Sequence, residues 1–156
     1  MFDRIIARLL GTRWLMRLPI PMYRWGLGWL LGSRLVMIEH RGRSSGEPRY
    51  VVVEVVERSG RTLRVASGFG TRAQWYRNLR ANGEAHLSTG RVRRQKVAVT
   101  LLDADASRAV LERYGSEHPD AWRRLHDAMA VAQDGEPDIP IVEFGPVGPD
   151  RGSAPA

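Results

Sequence analysis

Between Arg34 and Leu101 the chain is cut into strand-length segments by glycine turns, and this spacing limits the accessible folds more than any other feature. Arg34 to His40, Arg49 to Arg58 and Arg61 to Ala66 are rich in valine, isoleucine and leucine. Ala85 to Ser88 and Val92 to Leu101 continue the series. Ser59-Gly60 and Thr89-Gly90 read as tight hairpins, since glycine supplies the positive φ that two-residue connections need. Several short strands joined this way favour a small barrel over a doubly wound sheet. Asp105 to Tyr114, capped by Asp103 or Asp105, and Asp120 to Ala132, introduced by Pro119, read as helices, and Ile139 to Phe144 as a closing strand. The expected class is α+β, mainly β.

The ends of the chain have a different character. Phe2, Ile5, Ile6, Leu9, Leu10 and Trp14 fall at helical spacing opposite Arg4, Arg8, Arg13 and Arg17. This helix is expected to stop at Leu18-Pro19-Ile20-Pro21, where two prolines break the pattern, before a second helical segment holding Trp25, Trp29 and Leu30. Residues 1–33 thus form an N-terminal helical arm. Two readings stay open: the arm packs on the barrel or on a homodimer partner, or it makes a peripheral contact with an anionic membrane surface. The apolar run Trp25 to Gly32 is far shorter than the ~20 residues that span a bilayer, and Asp3, Arg4 and Arg8 interrupt any secretion signal, so a cytoplasmic location is expected. Residues 145–156, rich in Gly, Pro, Ser and Ala, read as a flexible tail. One domain, residues 34–144, remains between them, in keeping with a 156-residue chain.

The chemistry is narrowed first by what is missing. With no cysteine, the chain has no disulfide, thiolate zinc site, iron–sulfur cluster or cysteine nucleophile. His40, His86, His118 and His126 lack HExxH spacing, and neither a P-loop, a GxGxxG fingerprint nor a GxSxG elbow is present. The net charge of +7 points to an anionic partner. Nucleic acid is disfavoured, because the arginine-rich stretch Leu87 to Leu101 has no aromatic residue on which a base could stack.

The positive signal is the segment Glu39-His40-Arg41-Gly42-Arg43-Ser44-Ser45-Gly46-Glu47-Pro48-Arg49, ahead of the apolar run Tyr50 to Val56. Glycines there let the backbone approach a ligand, and guanidinium forks and hydroxyls can hydrogen-bond phosphate or carboxylate oxygens. Its competing reading is a solvated hairpin loop. Downstream, Ala66-Ser67-Gly68 leads through a glycine loop into Gln74-Trp75-Tyr76-Arg77-Asn78-Leu79-Arg80-Ala81-Asn82, a short helix. Trp75 and Leu79 are four residues apart, so Trp75 is either a core residue or a platform for a ring.

These two segments, with Ile139-Pro140-Ile141-Val142 downstream, resemble the deazaflavin-dependent nitroreductase family of actinobacteria over about Leu35 to Phe144. The resemblance implies a split β-barrel that binds coenzyme F420 and transfers a hydride to an electron-poor small molecule such as an enone, quinone or nitroarene. It places Arg43, Ser44, Ser45 and Arg49 on the anionic phosphate and tail. Tyr50, Val51 and Glu54 of the next strand, with Ser67 and Gly68, are expected along the tricyclic ring, and Gln74, Trp75, Tyr76 and Asn78 supply contacts from the short helix. Many relatives carry a lysine or arginine where Ser44 stands, so this chain offers one cation fewer. His118 to Arg124 lacks the tyrosine cluster of the nitroimidazole-activating relative. The alternatives are an FMN-binding oxidoreductase on the same barrel and a non-catalytic deazaflavin or lipid carrier. No constellation nominates a catalytic proton donor among Tyr76, Tyr114, His118 and His126.

Overall fold

A computed structural model of the chain describes residues 19–25 and 34–148. The amphipathic stretch Phe2 to Arg17, the Trp29-Leu30 segment and residues 149–156 lie outside them. Six strands, β1 (Leu35–Arg41), β2 (Pro48–Ser59), β3 (Thr62–Ala66), β4 (Glu84–Thr89), β5 (Val92–Leu101) and β6 (Ile141–Gly145), form a closed antiparallel barrel in the order β1-β2-β3-β6-β5-β4. Helix α1 (Pro19–Arg24) lies against β2, α2 (Gln74–Asn82) against β1, and α3 (Ala104–Glu117) and α4 (Pro119–Gln133) pair with each other outside the barrel. The expected α+β barrel with flanking helices is the fold observed. Among the described residues, no helix is long and apolar enough to cross a membrane.

Alternation along the strands separates two cores. Val36 and Ile38 of β1, Val51, Val53 and Val55 of β2, Leu63 and Val65 of β3, Leu87 of β4, Val97 of β5 and Val142 and Phe144 of β6 point inward and fill the barrel with Leu79 of α2. Val56, Ala66 and Ile141 point outward and pack under Val110, Trp122, Leu125 and Met129 of α3 and α4. Val55 and Val56 serve opposite faces, after which Glu57 must also face outward to reach Arg64. A bulge between Val55 and Glu57 supplies that change of phase.

Gly60 (φ +59) and Gly90 (φ +55) each open a two-residue hairpin connection. Asp103 caps α3 by accepting from the Ala106 N–H at 2.8 Å, and Pro119 starts α4, where a missing N–H is harmless.

Pro19 and Pro21 occupy the first turn of α1, where proline's fixed φ is compatible with helix and no intrahelical N–H bond is lost, while the expected end of a preceding helix lies outside the described residues. One expectation about the ends is corrected. Residues 145–148 are not tail: Gly145 pairs with Ala98, Val147 is buried in the barrel core, and its N–H bonds the Arg61 carbonyl at 2.7 Å. Gly148 is held by Gln95 in both directions, accepting at 3.1 Å and donating at 2.7 Å.

Candidate functional site: a basic turn docked on a short helix

The β1–β2 connection, residues 42–47, is a preformed turn. Gly42 N–H donates to the Glu47 carbonyl at 2.9 Å, Gly46 N–H to the Gly42 carbonyl at 2.8 Å, and Arg41 Nη1 to the Gly46 carbonyl at 3.1 Å. Ser45 Oγ accepts from the Glu47 N–H at 3.2 Å. A Cβ on Gly42 would stand 2.5 Å from that hydroxyl and push it aside, and Gly46 holds φ +69, which the backbone requires of a glycine.

The turn is fastened to α2 by side chains from both sequence segments. The Arg43 N–H and its Nη1 both donate to Asn78 Oδ1, at 3.1 and 2.8 Å, and Nη2 donates to Gln74 Oε1 at 2.8 Å. Gln74 and Asn78 share a helix face at i and i+4. The buried Asn78 amide then meets buried His40, with Nδ2 and Nδ1 3.1 Å apart. Asn82 Nδ2 adds a bond to the Arg41 carbonyl at 2.9 Å. Burial, aided by the nearby Arg49 guanidinium, lowers the His40 pKa from 6.5 to about 4, so the ring is neutral at ordinary pH and accepts at Nδ1.

Beside this clasp Arg49 and Ser44 are exposed, and their side chains make no hydrogen bond or ion pair among the described residues. Next to Arg49, the Arg24 guanidinium lies 5.2 Å from the Tyr50 ring centroid, and Glu54 pairs with Arg34 at 3.7 Å. Tyr114 of α3 is close enough to feel both: burial first, then Glu54, raises its pKa, with Arg34 opposing.

The β2 edge is divided. β3 pairs only with residues 55–59, then turns away, with Ser67 N–H bonding the Pro140 carbonyl at 3.0 Å. Among the described residues, Pro48 to Glu54 therefore have a ladder partner on one side only, β1. The other edge offers backbone donors and acceptors, as a flat heteroaromatic ligand requires.

The expected site residues divide accordingly. Arg43, Gln74 and Asn78 are one network, Ser44 and Arg49 stand beside it, and Tyr50 and Glu54 share the outer face of β2. Five of these residues do something else. Val51 points into the barrel core, because strand alternation puts it on the face opposite Tyr50. Ser67 is fully buried, its hydroxyl bonding the Gly70 carbonyl at 2.7 Å. Gly68 lies under Met129, a Cβ there being 3.3 Å from the thioether methyl. Trp75 is partly buried and packs against the barrel core. Tyr76 is rotated about 200° from Gln74 around the helix and lines a different space. That space, about 900 Å³, lies among Tyr76, Leu111, Trp122, His126 and residues 136–140. Ser45 is present in the turn, but its hydroxyl braces Glu47.

Two features escaped the sequence reading. His40 shares the inward parity of Val36 and Ile38, a signal that could have marked it as buried. Glu39 is buried on the outer face and held by Arg94 through Nε at 2.9 Å and Nη2 at 3.1 Å. Chiefly that hydrogen bonding lowers the Glu39 pKa. Arg94 holds φ +44, strained for a side chain of this kind, at a bulge in β5 where its N–H bonds Ser88 Oγ at 3.0 Å. Nothing in the run Arg91 to Lys96 distinguishes this arginine from its neighbours. No cluster of three metal-ligating side chains occurs among the described residues.

A basic turn with an exposed arginine, next to an open strand edge, suits an elongated ligand with an anionic end and a flat polar ring. The family described as F420H(2)-dependent quinone reductase matches residues 20–133, which span α1 to α4 and hence every residue of this site. Among solved structures, one described as a domain-swapped dimer is 18% identical, with a TM-score of 0.57, over 86% of this chain and 99% of its own. An F420-H2 dependent reductase, FDR-A, is 20% identical, with a TM-score of 0.51, over 72% and 94%. The heme storage protein HutZ from Vibrio cholerae shares the fold at 13% identity and a TM-score of 0.51, over 86% and 92%. No curated protein sequence matches. Coenzyme F420 is the cofactor the family carries, and the FMN alternative finds no support. The chain belongs to the F420H(2)-dependent quinone reductase family and is an F420-dependent reductase.

Proposed function

We propose that the protein reduces an electron-poor small molecule, an enone, a quinone or a nitro compound, with the anionic end of F420 held at the basic turn. The observation that carries this reading is the exposed Arg49 guanidinium beside an Arg43 whose backbone and side chain are already fixed by Asn78 and Gln74. Arg43 retains N–H donors beyond those spent on α2, and Arg49 and Ser44 supply more, so phosphate or carboxylate oxygens meet an oriented set.

The ring follows the open half of β2. Tyr50 and Glu54 contribute side chains on the outer face, and Val51 contributes backbone alone. Bound there, the reduced deazaflavin supplies the hydride. The chain's own share is to bind, orient and exclude water, and the raised pKa of Tyr114 keeps that phenol protonated near Glu54.

The test is a fluorescence titration with F420 and with FMN at two salt concentrations, followed by turnover of reduced F420 with an enone, a quinone and a nitroarene. Selective, salt-sensitive F420 binding with oxidation by at least one acceptor is expected. Binding without turnover of any acceptor would shift the reading to a carrier, and FMN-selective binding would sink it.

A further inference from the structure

We infer that His40 is a positioning residue for the anion-binding turn: its neutral Nδ1 sets the orientation of the Asn78 amide, which in turn aims Arg43. The inference rests on the cofactor reading above, and it deepens it by assigning the register of the turn to a residue beneath it.

The argument begins with Asn78. Its amide is buried on α2 and has one acceptor end and one donor end, which a half-turn about the last bond would exchange. Two donors from Arg43 converge on Oδ1, so the amide must present oxygen to the turn and nitrogen to the barrel. A donor buried on the barrel side needs an acceptor, and β1 supplies it at the last inward-facing position before the turn, where an aliphatic residue would continue the series Val36, Ile38. Histidine fills that place as a flat, half-apolar side chain with a lone pair at Nδ1. The proton then resides on Nε2, which bonds no group among the described residues.

Without that lone pair the buried Asn78 NH2 has no acceptor on the barrel side, and its orientation rests on the Arg43 donors alone. The flipped form would set the NH2 against both of those donors and leave the turn held to α2 only through Gln74 and Asn82. Arg43 would keep one of its three bonds to α2, and Arg49, paired with His40 in the β1–β2 register, would stand beside a less firmly held neighbour. The consequence falls on binding of the anionic end and not on the barrel, whose core is built elsewhere.

The test compares His40→Leu with His40→Asn in the full chain, since the Asn Oδ1 can occupy the place of Nδ1 whereas leucine only fills the space. Two readouts are taken: the F420 dissociation constant, and the hydrogen-exchange protection of the Arg43 backbone amide in ligand-free protein. Expected is a tenfold or greater loss of affinity in His40→Leu together with loss of Arg43 protection. His40→Asn should stay within about threefold of wild type and keep the amide protected. A His40→Leu protein that keeps both, or a His40→Asn protein as impaired as His40→Leu, overturns the inference. Wild-type protein that does not bind F420 while the Arg43 amide follows this pattern refutes the cofactor reading and upholds the alignment by His40.

Discussion

Acidification from pH 7 to pH 4.5 should destabilise the fold through one side chain, His40. Its pKa is about 4 when folded and 6.5 as the ordinary value, so between these limits the unfolded chain binds a proton that the native protein refuses. Stability rises with pH wherever the unfolded state holds more protons, so the contribution of this depressed histidine is complete above pH 6.5 and is lost as pH falls towards 4. Integrated between pH 7 and pH 4.5, the loss is about 2–3 kcal/mol. With a urea dependence of roughly 1–2 kcal/mol per molar for a domain of this size, the unfolding midpoint should move down by about 1–2 M. Carboxylates contribute as well, since Glu39 and Glu57 have lowered pKa values, mainly through Arg94 and Arg113. They are subtracted by the same pair of measurements on His40→Asn, which retains them and cannot titrate at position 40. Urea unfolding followed by tryptophan fluorescence at both pH values, in both proteins, gives the difference. Equal acid losses in wild type and His40→Asn would show that the buried neutral imidazole is not what makes the fold acid-sensitive.

Other substitutions test the site and its supports. Arg49→Ala should weaken F420 binding by about 1.5–3 kcal/mol, as for a charged hydrogen bond, and leave the urea midpoint unchanged; an unchanged dissociation constant removes Arg49 from the site. Asn78→Leu should lower stability by about 2–3 kcal/mol in urea unfolding, because it orphans the Arg43 N–H and the His40 acceptor together; a neutral result would mean that the clasp does not form in solution. Gly42→Ala should displace the Ser45 hydroxyl from Glu47 and cost about 1 kcal/mol, and Ser45→Ala should cost the same, with the double variant no worse than either. Additive losses in that cycle would rule out the crowding at Ser45. Arg94→Gly relieves the φ of +44 but strands buried Glu39, so a net destabilisation is expected in thermal or urea unfolding; a stabilised variant would show that backbone strain outweighs the ion pair.

The barrel was legible because each strand carries one inward set of aliphatic residues and the glycine connections fall between them, as at Gly60 and Gly90. The two site segments were legible as well, and Arg43 does join Gln74 and Asn78 across the fold. What stayed hidden depends on phase or on distant partners. The side chains of Val51 and Tyr76 face the barrel core and the space beneath α3 and α4, and only the register of the finished barrel decides that. Ser67 looked available until the Gly70 carbonyl was placed above it. Val147 looked like tail because its burial comes from residues far away in sequence.

Helix α2 serves three neighbours at once. Gln74 and Asn78 hold the turn, Trp75 and Leu79 plug the barrel, and Tyr76 walls the space beneath α3 and α4, leaving Arg77, Arg80 and Ala81 exposed. Insertion of a single residue near its start would rotate everything after it by about 100° and uncouple all three assignments at once. Evolution can therefore adjust this enzyme readily at the exposed positions of the helix. Its length and register must be inherited whole.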